Sequence, residues 1–230
     1  MIIKFLITLI VSILNFVLGY IIWRKNYKNP SNFFYFAMCA SAGLWSLAMT
    51  FLLIVRDLFL LEEVIVPATY LFGTLPPLFY LLFCYHFPSK LKRYPKATIS
   101  LIYSISFILI FLILTKILTM EEIELIGNNV KQRAVFPNFL LFTIYFFGYI
   151  LWGFIILWKK LINNSYFNYR HQIKYLMVAI ISTFIVIGTV SILIPLVYSF
   201  ALDWLGPIFL LIHLIFIGYF LFIKSLKANG

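Results

Sequence analysis

Long apolar stretches separated by short polar gaps fill almost the whole of this chain. A helix needs about 20 residues to cross the hydrocarbon layer of a membrane, and seven stretches reach that length. Because 64% of the residues are hydrophobic and only 11% are charged, so much apolar surface cannot be buried in one water-soluble core. The sequence therefore predicts an all-α membrane protein, a seven-transmembrane helix bundle that forms a single domain over residues 1–230. The predicted spans are residues 2–23, 33–55, 65–86, 97–118, 138–158, 175–197 and 205–223.

The charged residues are sorted between alternate gaps. All seven carboxylates lie in the second, fourth and sixth gaps, and 13 of the 18 basic residues lie in the other gaps or at the carboxyl terminus. Lys and Arg in short loops are held on the cytoplasmic side of a membrane. We therefore expect a multi-pass protein of the inner (cytoplasmic) membrane, with the amino terminus outside and the carboxyl terminus in the cytoplasm. The acids are Asp57, Glu62, Glu63, Glu121, Glu122, Glu124 and Asp203.

The net charge of +11 does not indicate nucleic-acid binding in this chain. Its basic residues form short collars next to the spans, where they meet anionic lipid headgroups, so the expected partner is the lipid bilayer. Cys39 and Cys84 both lie inside predicted spans and cannot form a four-ligand zinc site. No metal site and no cofactor are predicted.

Motifs of the common enzyme classes are absent from the sequence. It contains no Gly-x-Ser-x-Gly elbow, no His-Glu-x-x-His pair and no phosphate-binding glycine loop. The three histidines, His86, His171 and His213, fall at different depths in the predicted topology. Lys224 follows the last span, whereas a retinal-binding pump would need a lysine near its middle. We predict no catalytic residues and no enzyme activity for this chain.

The third span is unusual because it contains Pro67, Gly73, Pro76 and Pro77. Pro67 lies in the first turn, where proline is tolerated, but Pro76 and Pro77 remove two backbone donors at mid-membrane and predict a kink. The freed carbonyl groups then need other partners, since lipid offers none. Two interpretations remain open: a static bend that shapes the bundle, or a functional role of Pro76 and Pro77 as a hinge or as a pocket wall.

Polar and aromatic side chains in the central and outer layers of the bundle are the candidates for a ligand pocket. Ionisable groups inside a membrane are costly and point to function, which draws attention to His213 near the middle of span seven. A neutral His213 bonded to a neighbouring helix and a His213 that contacts a ligand both fit the sequence. The predicted pocket residues are Trp45, Tyr70, Thr74, Thr189, Trp204 and His213.

Short motifs near the span ends occur in an order that points to one family. They are Asn29, Asn32 and Phe36 leading into span two with Trp45 inside it, Pro77 followed by Phe87 and Pro88, Arg170 and Gln172, and Leu205, Gly206 and Pro207 followed by Tyr219. With these residues the chain resembles, over nearly its whole length, the amino-terminal seven-transmembrane sensor region of bacterial and archaeal histidine kinases.

The resemblance implies a sensory module that detects a signal within the bundle or at its outer face and passes it to a cytoplasmic kinase or other signalling partner. The signal would be a small-molecule or lipid ligand. No phosphoacceptor segment or ATP-binding domain occurs up to Gly230, so kinase activity is not carried over. A separate sensor and a piece of a longer kinase are both compatible with this chain. The alternatives are a small-molecule transporter or lipid-handling membrane protein, and a structural subunit of a larger membrane complex.

Overall fold

The structure is a computed structural model of the chain. It describes residues 2–55, 59–88, 96–118, 121–126, 129–163, 166, 169–189 and 205–219.

Seven α-helices and one two-stranded sheet lie in these described residues. The predicted helical architecture is confirmed, and each helix overlaps one of the seven predicted spans. Five of the helices, α1 to α5, are long and apolar enough to cross a membrane, and the described part of the last helix is a shorter apolar segment. The helices are α1 Ile2–Lys25, α2 Pro30–Val55, α3 Phe59–His86, α4 Lys96–Leu114, α5 Phe136–Ile162, α6 Arg170–Gly188 and α7 Gly206–Gly218.

Helices α1 and α2 pack as antiparallel neighbours through hydrogen bonds from side chains to backbone carbonyls. Near the end of α1, Asn32 Nδ2 donates to the carbonyl of Ile22 at 3.0 Å. At the opposite end of the pair, Ser46 Oγ donates to the carbonyl of Thr8 at 2.8 Å. Small residues let the two backbones approach this closely, which is a usual way for helices to associate in lipid.

Helix α3 occupies the interior of the bundle, and several of its side chains are almost completely buried. Phe34 of α2 stacks on His86 at the end of α3, with ring centroids 4.6 Å apart, which places α2 and α3 antiparallel. On its other side α3 runs parallel to α5, because Tyr70 contacts Phe142 and, further along both helices, Tyr80 lies against Gly153. Helix α3 therefore connects the α1–α2 pair to α5.

A β-hairpin between α4 and α5 was not predicted from the sequence. Strand β1, Glu121–Ile126, pairs antiparallel with strand β2, Asn129–Ala134. The register places Glu122 opposite Arg133 and Glu124 opposite Lys131. This segment belongs to the long acidic gap, which the apolar pattern predicted only as a loop.

The outer faces of the bundle are strongly apolar. Large hydrophobic side chains are exposed along α1, α4 and α5. Extended exposed apolar surfaces indicate contact with a membrane or a partner. In α4 the exposed residues are Leu101, Tyr103, Ile105, Phe107, Ile108, Phe111 and Leu114. Lipid contact on these faces agrees with the spans predicted from the sequence.

The close contact of α3 with α5 makes Gly153→Ala destabilising. A Cβ atom on Gly153 would lie 2.5 Å from Cε1 of Tyr80, and overpacking a filled interior costs about 1–3 kcal/mol. Gly148→Ala is the matched control on the same helix, since a Cβ there meets nothing described within 4 Å. Thermal unfolding of the purified variants in detergent measures the difference. Equal midpoints for the two variants would contradict the described packing.

Candidate functional site

Two consecutive prolines interrupt the backbone hydrogen bonds of α3 without ending the helix. Pro76 and Pro77 both lie inside the helix, which continues to His86. Proline has no backbone N–H, so the carbonyl groups of Phe72 and Gly73 lack their usual α-helical donors. In a membrane interior such carbonyls need protein or water partners. The polar groups that surround this part of α3 are therefore the first candidates for function.

Gly73 lies between Trp45 of α2 and Phe142 of α5. A Cβ atom on Gly73 would be 3.5 Å from Cζ of Phe142 and 3.8 Å from the indole nitrogen of Trp45. These are ordinary van der Waals distances. In contrast, a Cβ on Gly153 of α5 would collide with Tyr80, which lies further along α3. There is thus room for a methyl group at Gly73, whereas none is left where Gly153 of α5 meets Tyr80 of α3.

Aromatic rings cover the same face of α3. Tyr70 meets the ring of Phe142 edge to face, with centroids 5.2 Å apart, and the ring of Phe139 at 6.5 Å. We call Trp45, Tyr70, Phe139 and Phe142 the aromatic cluster. Such edge-to-face pairs stabilise a packing geometry by about 0.5–1.5 kcal/mol each. The aromatic cluster joins α2, α3 and α5 just before the two prolines.

Beside the aromatic cluster, three hydroxyl groups form a buried hydrogen-bond network between α3, α4 and α5. The Tyr145 hydroxyl donates to the carbonyl of Thr74 at 3.0 Å, and the Tyr149 hydroxyl donates to the carbonyl of Ile102 at 2.7 Å. Ser106 Oγ lies 3.0 Å from the Tyr145 hydroxyl and 3.1 Å from the Tyr149 hydroxyl. We call Ser106, Tyr145 and Tyr149 the hydroxyl network. It attaches α4 and α5 to α3 two residues before Pro76.

The structure places the predicted pocket residues in different surroundings. Trp45, Tyr70 and Thr74 come together around the middle of α3, where the Thr74 carbonyl accepts the bond from Tyr145. His213 is buried in α7, and its ring is hydrogen-bonded to the backbone of Ala179 in α6.

The other two predicted pocket residues lie away from this group or outside the described chain. Thr189, directly after α6, is exposed, and its hydroxyl donates to the carbonyl of Ile185. Trp204 lies outside the described residues.

The hydroxyl network was not predicted from the sequence, although a signal for it existed. Tyr145 and Tyr149 are four residues apart on α5, a spacing that places two side chains on one helix face. Nothing in the sequence indicated which helix that face would meet. Ser106 in α4 carried no distinguishing pattern, because its role depends on how α4 lies against α5.

Lys160 of α5 holds the carboxyl-terminal end of α3, beyond the two prolines. The position of Lys160 in a basic collar after the fifth span predicted contact with lipid headgroups, but the side chain is fully buried. Its Nζ donates to the carbonyl of Cys84 at 2.9 Å, to that of Tyr85 at 2.8 Å, and to that of Phe87. We call this arrangement the Lys160 clamp.

The Lys160 clamp has a simple electrostatic origin. The last carbonyl groups of a helix have no donors within the helix, and they form the negative end of its dipole, which favours a cation. The ammonium group of Lys160 meets both requirements at the end of α3. The ring of Tyr166, from the segment after α5, lies 5.7 Å from Nζ and adds a cation–π contact.

The two prolines thus divide α3 into two arms with different surroundings. Residues 64–75, the first arm, contact the aromatic cluster and the hydroxyl network. Residues 78–86, the second arm, contain the fully buried Leu81, Phe83 and Cys84 and end in the Lys160 clamp. The junction at Pro76 and Pro77, where backbone bonds are missing, is where a bend of α3 would cost least.

Comparison with known proteins gives one family. A family model described as the N-terminal 7TM region of histidine kinase matches residues 7–226. No curated protein matches the chain.

Removal of the Lys160 ammonium group should destabilise the protein. Lys160→Met keeps most of the side-chain volume but leaves the carbonyls of Cys84, Tyr85 and Phe87 without this donor. Leaving buried polar groups unsatisfied costs about 1–3 kcal/mol each time a partner is lost.

Lys159→Met is the matched control, because Lys159 is the exposed neighbour on the same helix and an exposed charge contributes little. The midpoint of thermal unfolding in detergent compares the two variants. A Lys160→Met midpoint as high as that of the control would show that the clamp does not stabilise the end of α3.

Proposed function

Because the chain belongs to the family of N-terminal seven-transmembrane regions of histidine kinases, we propose that it reads a signal inside its helix bundle and passes it to a cytoplasmic signalling partner. The family model covers the sensor region and not the catalytic kinase domain. The observation that carries the proposal is the position of Pro76 and Pro77, between a polar and aromatic site and a clamped helix end.

The proposed signal site contains Trp45, Tyr70 and Thr74. The described side chains around it are neutral: the aromatic cluster and the hydroxyl network contain no charged residue. A binding site in hydrocarbon that lacks a counter-charge strongly disfavours a charged ligand. We therefore propose that the signal is an uncharged small molecule or lipid that reaches the site through the membrane.

The proposed response is a movement of the first arm of α3 about Pro76 and Pro77. The Lys160 clamp holds the second arm against α5, whereas there is room for a methyl group at Gly73. A ligand that binds one arrangement of the first arm more tightly shifts the population towards it. Trp45 of α2 and Phe142 of α5 both lie next to Gly73, so this movement would change the contacts of α3 with both helices.

The proposed orientation places the amino terminus outside and the carboxyl terminus in the cytoplasm of an inner-membrane protein. It is supported by the 13 of 18 basic residues that lie in alternate gaps or at the carboxyl terminus. The helix ends near Arg24 and Lys25 of α1 and Lys160 of α5 would then face the cytoplasm. The acidic β-hairpin would lie on the opposite side.

Fusion reporters test this orientation. Alkaline phosphatase joined after Leu118 should be active because that position would be outside the cytoplasm, whereas the same enzyme joined after Lys28 should be inactive. A fluorescent protein joined after Gly230 should fluoresce in the cytoplasm. Immunoblots control for the amount of each fusion. Active phosphatase after Lys28 together with inactive phosphatase after Leu118 would reverse the orientation.

Proline replacement tests whether α3 controls the signal output. The chain is joined to the cytoplasmic part of a histidine kinase whose response regulator drives a reporter gene. The double variant Pro76→Ala and Pro77→Ala restores two backbone donors to Phe72 and Gly73, so the population of the bent state should fall. We expect the basal reporter signal to change at least about fivefold, the lower range of typical coupling between sites.

Trp158→Phe is the control for this experiment, since Trp158 is an exposed aromatic residue on α5 outside the proposed site. Its reporter signal should match that of the unmodified chain. If the proline double variant reaches the membrane in normal amounts and also leaves the signal unchanged, α3 does not act as the hinge.

A further inference from the structure

Tyr35 of α2 is in direct contact with the backbone of α7. The side chain is fully buried, and its hydroxyl donates a hydrogen bond to the carbonyl of Leu214. In an α-helix a carbonyl pairs with the amide four residues later, so the Tyr35 hydroxyl meets α7 at the turn that runs from Leu214 to Gly218.

Gly218 is the residue that permits this contact. A Cβ atom on Gly218 would lie 2.6 Å from the Tyr35 hydroxyl oxygen and 3.4 Å from its ring carbon Cζ. The first distance is a collision, while the second is an ordinary contact. Gly218 therefore leaves the space that the Tyr35 hydroxyl occupies. With phenylalanine at position 35, that space would not be needed.

Two consecutive residues attach α7 to different helices. The His213 ring bonds to the backbone of Ala179 in α6, while the carbonyl of Leu214 accepts the bond from Tyr35 in α2. Hydrogen bonds between helices are a main source of specific association in a membrane, where apolar contacts with lipid and with protein are similar. The bond from Tyr35 therefore sets the height of α7 relative to α2.

Tyr35 is also connected to α3 through a line of aromatic contacts. Its ring meets Phe83 edge to face with centroids 6.2 Å apart, and Phe83 stacks on Phe87 at 5.3 Å. The carbonyl of Phe87 is one of the acceptors of Lys160. The contact on α7 and the Lys160 clamp thus belong to one continuous packed group.

We propose that Tyr35 is a positioning residue for α7, whose hydroxyl fixes the last described turn of this helix against α2 and, through Phe83, against the clamped arm of α3. The contact itself is independent of the proposed function. Its role in signalling rests on that function: a signal that moves α2 or α3 would reach the carboxyl-terminal helix through Tyr35.

A double-mutant cycle on the full chain tests the contact. Gly218→Ala in the otherwise unmodified chain places a methyl group against the hydroxyl, and the midpoint of thermal unfolding should fall by at least about 3 °C. In the Tyr35→Phe background the hydroxyl is absent, so Gly218→Ala should lower the midpoint by less than about 1 °C. An equal loss in both backgrounds would overturn the proposal. Tyr103→Phe on α4 is the control for an exposed tyrosine.

A distance measurement tests positioning as distinct from stability. Spin labels are attached at Val17→Cys on α1 and Ile215→Cys on α7, two exposed positions; Cys39 and Cys84 are buried and stay native. Tyr35→Phe should shift or broaden the distance distribution between the labels, while Tyr103→Phe should not. An unchanged distribution in Tyr35→Phe would reduce Tyr35 to a stabilising contact and overturn the positioning role.

The reporter signal of Tyr35→Phe in the kinase fusion described above separates this inference from the proposed function. A shifted label distance with a changed reporter signal supports both. A shifted label distance with an unchanged reporter signal supports the positioning role of Tyr35 and counts against signal transfer through α7.

Discussion

Hydrogen bonds from side chains to backbone carbonyls of neighbouring helices organise the interior of the bundle, because hydrocarbon itself offers polar groups no partner. The Thr74 carbonyl near the two prolines accepts from Tyr145, and the last carbonyls of α3 accept from Lys160. The Leu214 carbonyl in α7 accepts from Tyr35. Each bond runs from a side chain of one helix to the backbone of another. Since apolar contact alone distinguishes poorly between a helix and lipid, these bonds select which helices become neighbours.

Because of these bonds, the parts of α3 before Pro76 and after Pro77 differ in how firmly they are held. After Pro77 the helix is enclosed by α2 and α5 and ends in the Lys160 clamp, so its position is strongly determined. Before Pro76 it is bordered by aromatic rings and by neutral hydroxyl groups, and there is room for a methyl group at Gly73. In the proposed function this helix, held at one end and weakened at its middle, adopts two arrangements with a modest difference in free energy. That property suits a membrane region that belongs to a family of kinase sensor segments.

Much of the helical framework could be predicted from apolar length alone. The predicted spans overlap all seven described helices, and α1 to α5 differ from the predictions by a few residues at their ends, except that α3 begins earlier and α4 ends earlier. The order of motifs around Asn32, Pro77 and Arg170 led to the family that the comparison confirmed. The β-hairpin was missed because its residues fall in an acidic gap without strict alternation. Lys160 was misplaced because a charge count does not show which lysine turns inward.

The sequence by itself determined that the chain enters a membrane, roughly where its helices lie and which family it belongs to, because apolar length, charge and local motifs are properties of neighbouring residues. Only the tertiary structure decided that Trp45 and Tyr70 lie at the same part of α3, that His213 is bonded to α6, and that Tyr35 meets α7. These pairings join residues far apart in the chain. They depend on the rotation and height of each helix, which are set by contacts between helices and leave no periodic signal in any one of them.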